Sequence, residues 1–336
     1  MTKTFKIVSA LLIMLILLTT AIWHQYDRFM TTPLIVNEEG YVYTVKAGSN
    51  LQKISRELYA TGLSSLPPNY LYFYGRLKSK AHLIKAGEYL IKPGTTLPQC
   101  LDLLISGKVI QYPLTIVEGM TAQQLINMLV ADTRLKNELT DTSLKQVMIT
   151  LGHPDKHGEG EFSPETYYFT AGTTDKEILR RAHLMMSEIL EEKWKNRADN
   201  LPYKTPYEAL IMASIIEKES GIAEERPQIA GVFVRRLQKR MRLQTDPTVI
   251  YGLGSKFDGN IRRKDLTTDT PYNTYTRYGL PPTPIALPSK ESIDAALHPA
   301  PGSSLYFVAT GHEGRHIFSD TLTAHNKAVR KYQLKK

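Results

Sequence analysis

Two glutamates, Glu217 and Glu219, stand at the end of an apolar run, EALIMASIIEKES, over residues 208–220. Thr205, Pro206 and Glu208 sign a helix start there: a cap, a residue suited to the first turn and the acidic member of a capping box. Gly221 is placed to terminate the helix. The nine residues after Glu208 are nearly all apolar, so the helix is expected inside the core. On such a helix Glu217 and Glu219 lie about 160° apart around the axis and cannot form a facing acid–base pair. Glu217 falls on the stripe of Leu210 and Ala213, and Glu219 falls among Met212, Ile215 and Ile216. A carboxyl among bulky apolar groups at the negative end of a helix is held toward its neutral form, which suits a general acid at neutral pH. On these residues alone the plainer reading is the stronger: the solvated last turn of a core helix.

Residues 243–289 carry six prolines, four glycines and repeated tyrosines. A turn-rich run this long in a compact domain marks a functional surface. Gln244, Asp246 and Asn273 supply short polar groups for sugar hydroxyls and amides, and Tyr251, Tyr272 and Tyr275 supply flat faces with a hydrogen-bonding tip. The same tyrosines would also pack such a loop on a core, and Asp246 before Pro247 also suits a turn. His312-Glu313-Gly314-Arg315-His316 spells H-E-x-x-H, a zinc-protease pattern that requires a helix. Gly311 and Gly314 bracket a turn between LYFVA and HIF, which takes both histidines off a helix, so neither metal nor cofactor is expected. His153 and His157 flank Pro154 and read as solvated. The basic run Arg235, Arg236, Lys239, Arg240 and Arg242 reads as a surface drawn to anionic glycan or lipid head groups, or as a solvated helix face.

The elements that must position these groups follow from composition and periodicity. A chain of 336 residues suits two domains plus an accessory segment, and 42% apolar with 22% charged residues can bury a core. Lys and Arg (42) exceed Asp and Glu (33), and the net charge of +9 favours an anionic partner. A single cysteine, Cys100, excludes an intrachain disulfide and any zinc or iron–sulfur site built on several cysteines. Ile7 to Trp23 is an uncharged run of 17 residues, near the short end of what crosses a bilayer. Lys3 and Lys6 before it outnumber Arg28 after it, which places the N-terminal side in the cytoplasm. The long apolar stretch with no A-x-A-like site favours an uncleaved anchor over a signal peptide. Most of the chain is therefore expected outside the cytoplasm, and nucleic acid is set aside as a partner. A strand, a glycine turn, a polar cap and a helix recur over Tyr43–Tyr59, Tyr89–Leu104 and Leu114–Leu129. A loop over residues 150–168, a helix over 175–198, a hairpin over 305–319 and a last helix over 323–334 complete the reading.

ASIIEKES (213–220), RLQTDPTVIYGLG (242–254), TPYNTYTRYGLPPTPIALP (270–288) and LYFVATGHEGRHIFS (305–319) together resemble the YceG-like endolytic murein transglycosylases. EGEFSPETYYF (159–169) resembles the loop ahead of that family's catalytic helix, and YTVKAGSNLQKI resembles its LysM-like module. The resemblance implies an α+β fold: a single transmembrane helix (residues 1–30), a small LysM-like α/β module (31–112) and a lysozyme-like α+β catalytic domain (113–336). It implies Glu219 as the single catalytic glutamate, with Glu217 and Ser220 in support; Gln244, Asp246, Tyr251, Tyr272, Asn273 and Tyr275 stay the substrate contacts expected from their side-chain chemistry. Thr283 departs from the pattern, standing where the family commonly has Gly. The implied reaction cuts the MurNAc–GlcNAc bond of nascent glycan strands and leaves 1,6-anhydro ends, without cofactor or metal. The implied partners are peptidoglycan strands and peptidoglycan synthases, and the implied place is the inner membrane with the C-terminal domain in the periplasm. A non-catalytic peptidoglycan-binding module is the alternative, and a hydrolase using Glu165 or Asp246 as a second carboxylate is a third.

Overall fold

The strand, glycine turn and capped helix occur three times in the computed structural model, which describes residues 3–312 and 314–334. After helix α1 (Lys3–Thr31), strand β1 (Tyr41–Val45) passes Gly48 into α2 (Leu51–Ala60). Helix α3 (Pro68–Leu77) follows, and β2 (Gly87–Ile91) passes Gly94 into α4 (Leu97–Ser106). Strand β3 (Tyr112–Thr115) then passes Gly119 into α5 (Ala122–Ala131). The three turn glycines have φ of 77°, 81° and 77°, a conformation that residues with a Cβ adopt only at a cost. Asn50 and Thr121 accept from the N–H three residues on, while Gln99 and Gln124 reach back to the N–H of Thr96 and Thr121. First-turn donors are thereby satisfied.

The chain divides into two compact units, Met1–Tyr112 with Tyr168–Ala171, and Pro113–Tyr167 with Gly172–Lys336. In the smaller unit, residues Phe5–Thr31 of α1 form a helix long and apolar enough to cross a membrane. This helix continues well past Trp23, and Phe29 near its end is buried beside Tyr70 and Tyr74, with ring centroids at 6.1 and 5.1 Å. Strands β1 and β2 pair antiparallel with Tyr43 opposite Tyr89. Alternation turns Tyr43, Val45, Tyr89 and Ile91 inward onto Leu51, Ile54 and Leu58 of α2 and Leu97, Leu101 and Leu104 of α4. Cys100 lies in this core, and desolvation pushes its thiol up to about 12, which makes it a packing group.

The larger unit continues with α6 (Leu144–Leu151), the first half of β4 (Thr166–Phe169), whose last two residues count with the smaller unit, then α7 (Asp175–Lys195), α8 (Pro206–Glu219) and α9 (Arg226–Gln238). Short helices α10 (Asp246–Leu253) and α11 (Arg263–Thr267) lie within the turn-rich region read as loop, and α12 (Lys290–Leu297) follows it. The antiparallel hairpin β5 (Tyr306–Ala309) and β6 (His316–Ser319) leads into α13 (Leu322–Tyr332). The whole is α+β, with the sheets small and separate. Helix α8 is the core element: every residue from Ala209 to Glu217 is buried, among α7, α9 and α12. Each fully buried Leu or Ile there is worth about 1.5–3 kcal/mol against exposure.

Two details of α8 differ from the sequence reading. Glu208 accepts from the N–H of Lys204, not of Thr205, so only half of the capping box forms. The helix ends on Ser220 in an extended conformation, with its Oγ donating to the Ile222 carbonyl at 2.6 Å. Gly221 is not a left-handed terminator, and it lies beside Gly314 of the hairpin turn with room for a Cβ at ordinary contact distance, 3.7 Å from Cα of Gly314.

Candidate functional site

The C-terminal end of α8 delivers Glu219, half-buried, to a cleft of about 530 Å³ in the larger unit. The walls come from α9 (Phe233, Arg236), the segment leading into α10 (Leu243, Gln244, Asp246), Tyr275, the β5–β6 hairpin and α13. Oε1 of Glu219 accepts a hydrogen bond from the hydroxyl of buried Thr245. Desolvation raises the carboxyl above its ordinary range; the Thr245 bond opposes this, Asp246 adds to it, and His316 and Arg236 oppose it more weakly. The outcome is a carboxyl biased toward its protonated form at the edge of a polar cleft.

Glu217, 8% exposed, faces the other way. Its Oε2 accepts from the Ser289 N–H at 2.8 Å, the Ser289 hydroxyl and the Ser292 hydroxyl at 2.7 Å, while Arg226 donates to Oε1 at 3.1 Å. The carboxylate therefore sits on the N-terminus of α12, where N–H donors and the helix dipole favour negative charge. The glutamates occupy different environments on opposite faces of one helix.

Of the six residues read as substrate contacts, Gln244, Asp246 and Tyr275 line the cleft with Glu219. Tyr275 donates to Asp246 Oδ1 at 2.6 Å. Gln244 has φ of +52°, a left-handed conformation rarely held by a residue with a side chain and often found at functional sites. The other three do not line it. Asn273 is 1% exposed, and its amide donates to the carbonyls of Asp265, Leu266 and Thr268 while Oδ1 accepts from the Tyr275 N–H. Its amide organises the loop that carries Tyr275. Tyr251 donates to Glu159 at 3.1 Å and packs edge-on against Tyr272, with centroids at 4.9 Å. The Tyr272 hydroxyl shares a 2.8 Å hydrogen bond with Thr283, a contact that a glycine there would lack. Ser220 caps α8 and does not line the cleft.

Several groups of the site escaped the sequence reading. Thr245 gave no signal beyond its place between Gln244 and Asp246. Arg236, read with its neighbours as surface, is 8% exposed. It donates to the carbonyls of Leu305 at 2.6 Å and Leu243 at 2.7 Å, and its guanidinium lies 5.1 Å from the Tyr306 ring centroid. Buried Glu159 accepts from Ala122 N–H at 2.8 Å and from Tyr251, and desolvation raises its carboxyl to about 7. His153, read as solvated, is half-buried with its ring 4.3 Å from that of His183, whereas His157 is exposed. The H-E-x-x-H stretch lies on the hairpin, with His316 opening β6 and lining the cleft; Glu313 is outside the described residues. Among the described residues no group of three or more His, Cys, Asp or Glu could hold a metal ion.

Residues 43–331 match the YceG-like family, a span that takes in part of the smaller unit as well as the larger. The endolytic murein transglycosylase of Bacillus subtilis is 35% identical over 268 residues, covering 74% of this chain and 73% of that protein. The endolytic murein transglycosylase of Streptococcus pneumoniae is 28% identical over 342 residues, covering 91% of this chain and 61% of the longer relative. Among solved structures, a yceG-like protein from Listeria monocytogenes superposes with a TM-score of 0.54 at 30% identity, over 87% of this chain and 99% of that one.

Proposed function

The chain belongs to the YceG-like family, and from that premise we propose that it is a peptidoglycan lytic transglycosylase that cuts glycan strands internally, with Glu219 as its catalytic acid. The observation that carries the reading is the environment of Glu219: desolvated, held by Thr245 and open to a cleft rimmed by Gln244, Asp246 and Tyr275. An ordinary glycosidase uses two carboxylates, one as acid and one as base or nucleophile. Here Glu217 is turned away onto α12 and Asp246 is engaged by Tyr275. A lytic transglycosylase activates no external water. Protonated Glu219 gives its proton to the glycosidic oxygen, and the 6-hydroxyl of the same sugar attacks C1 and closes a 1,6-anhydro ring. Intramolecular attack supplies the effective concentration that a second protein group would otherwise provide. The resulting Glu219 carboxylate is chemically competent to take up the hydroxyl proton.

The same reading makes α1 a single-pass anchor in the inner (cytoplasmic) membrane, with the C-terminal domain on its periplasmic side. Lys3 and Lys6 against Arg28 support that orientation. The smaller unit serves as a LysM-like glycan-docking module, and peptidoglycan synthases are the expected protein partners.

The test is digestion of purified glycan strands by the full chain, with mass spectrometry of the new ends. Ends lighter by one water are expected, and Glu219→Gln lowers cleavage by about 10²–10⁴-fold. Reducing ends would make water the nucleophile, and binding without new ends would make the protein a docking module.

A further inference from the structure

His316 lines the cleft and is backed by a carboxylate that does not, Glu225. His316 Nδ1 lies 2.8 Å from Oε2 of Glu225, and the His316 N–H reaches both oxygens of that carboxylate, at 3.1 and 3.2 Å. The two side chains are only 9% and 12% exposed. The imidazole edge also packs on Phe307, with centroids at 5.3 Å and planes near perpendicular. Glu225 closes the short turn Ala223–Glu225 that follows α8, so one stretch of chain carries both Glu219 and the partner of His316. The Gly221–Gly314 contact closes the hairpin turn onto the end of α8. A carboxylate on Nδ1 selects the tautomer with its proton there and leaves Nε2 of this cleft-lining residue as the free acceptor.

We propose that His316, oriented by Glu225, is the general base of this site and takes the proton of the attacking 6-hydroxyl at Nε2. The proposal rests on the lytic transglycosylase reading and refines its second half. Glu219 protonates the glycosidic oxygen as the C1–O bond breaks, O6 bonds to C1, and the O6 proton passes to His316. The products are an anhydro end and a new 4-hydroxyl end. The protein is left with the Glu219 carboxylate and a His316 imidazolium beside Glu225, and proton exchange with solvent restores both. The other groups of the cleft are less suited. Asp246 accepts from Tyr275, and Arg236 is a fixed cation bonded to carbonyls. His325 stacks on Tyr306, and desolvation with Arg236 nearby holds its imidazole below the ordinary range, making it a weak base.

The deciding variant is His316→Asn in the full chain, assayed on purified glycan strands by counting anhydro ends. The Asn amide can still donate to Glu225 where Nδ1 stood but puts nothing at the Nε2 position. The expected result is a fall in kcat of about 10²-fold or more with KM within about twofold. The melting temperature should stay that of wild type, and added imidazole should restore part of the kcat of His316→Ala. Wild-type kcat in His316→Asn would overturn the proposal and leave Glu219 to handle both protons. Loss of activity with a lowered melting temperature and no imidazole rescue would overturn it too, reducing the pair to a clasp on the hairpin. Either result leaves the wider reading standing if wild type makes anhydro ends; reducing ends from wild type would sink both.

Discussion

The hydroxyl of Thr245 donates to Oε1 of Glu219 across 26 residues of chain, tying the end of α8 to the segment that opens α10. This bond favours the ionised carboxyl and so restrains the rise that burial causes. Thr245→Val keeps the shape and removes the donor. The carboxyl then rises further, and because Glu219 acts in its protonated form, the alkaline limb of the pH–rate profile moves to higher pH. The carboxyl also loses its tether, and kcat at the optimum falls by up to about tenfold, the worth of one hydrogen bond to the neutral acid. A pH profile of kcat/KM checks both; a limb moving to lower pH would contradict the argument.

The two glutamates of α8 should separate stability from activity. Glu217→Ala strips the acceptor from Ser289, Ser292 and Arg226 and should destabilise the larger unit by about 3–5 kcal/mol, the usual penalty for breaking a buried ion pair. Glu219→Gln should leave stability at pH 7 unchanged or improved. Its carboxyl is raised in the folded state, so folding is disfavoured once the pH exceeds the value at which the unfolded chain ionises. Denaturant titration of both variants tests the contrast, and equal losses would refute it.

Glu159 should impose a pH dependence of its own. Burial lifts its carboxyl from 4.5 to about 7, so the folded protein holds a proton that the unfolded chain releases. Its stability contribution is highest below about pH 4.5, falls between there and about pH 7, and levels off above. Glu159→Gln removes that slope and should be the more stable protein at pH 8 by up to about 3 kcal/mol. Unfolding at pH 5 and pH 8 measures the difference; parallel curves for the two proteins would exclude it.

Gln244 and Asn273, both first read as sugar contacts, should respond in opposite ways. Gln244→Gly relieves a left-handed backbone and should stabilise by about 1 kcal/mol while raising KM through the lost cleft amide. Asn273→Ala leaves three carbonyls and the Tyr275 N–H without their partner and should cost about 2–3 kcal/mol, with activity lost through displacement of Tyr275. Thermal melts beside KM and kcat separate the cases. A KM effect without destabilisation in Asn273→Ala would restore it as a substrate contact.

What the sequence determined by itself is what neighbouring residues decide together. Nine buried residues behind Thr205 and Pro206 make α8 a core helix, and three glycines between a strand and a polar cap make the same turn three times. Gly311 and Gly314 between two apolar runs make a hairpin of a motif that spells a metal helix. The angle between Glu217 and Glu219 also follows from helical geometry alone. Only the tertiary structure decided what each glutamate meets: Ser289 lies 72 residues beyond Glu217, and His316 lies 91 beyond Glu225. Arg236 looks like exposed Lys239 and Arg240 in the basic run until chain 69 residues away brings the Leu305 carbonyl to its Nε. A carboxyl, an imidazole or a guanidinium takes its character from desolvation and from the dipoles packed against it. Those come from distant segments, which local pattern cannot specify because it records only what adjoining residues can satisfy among themselves.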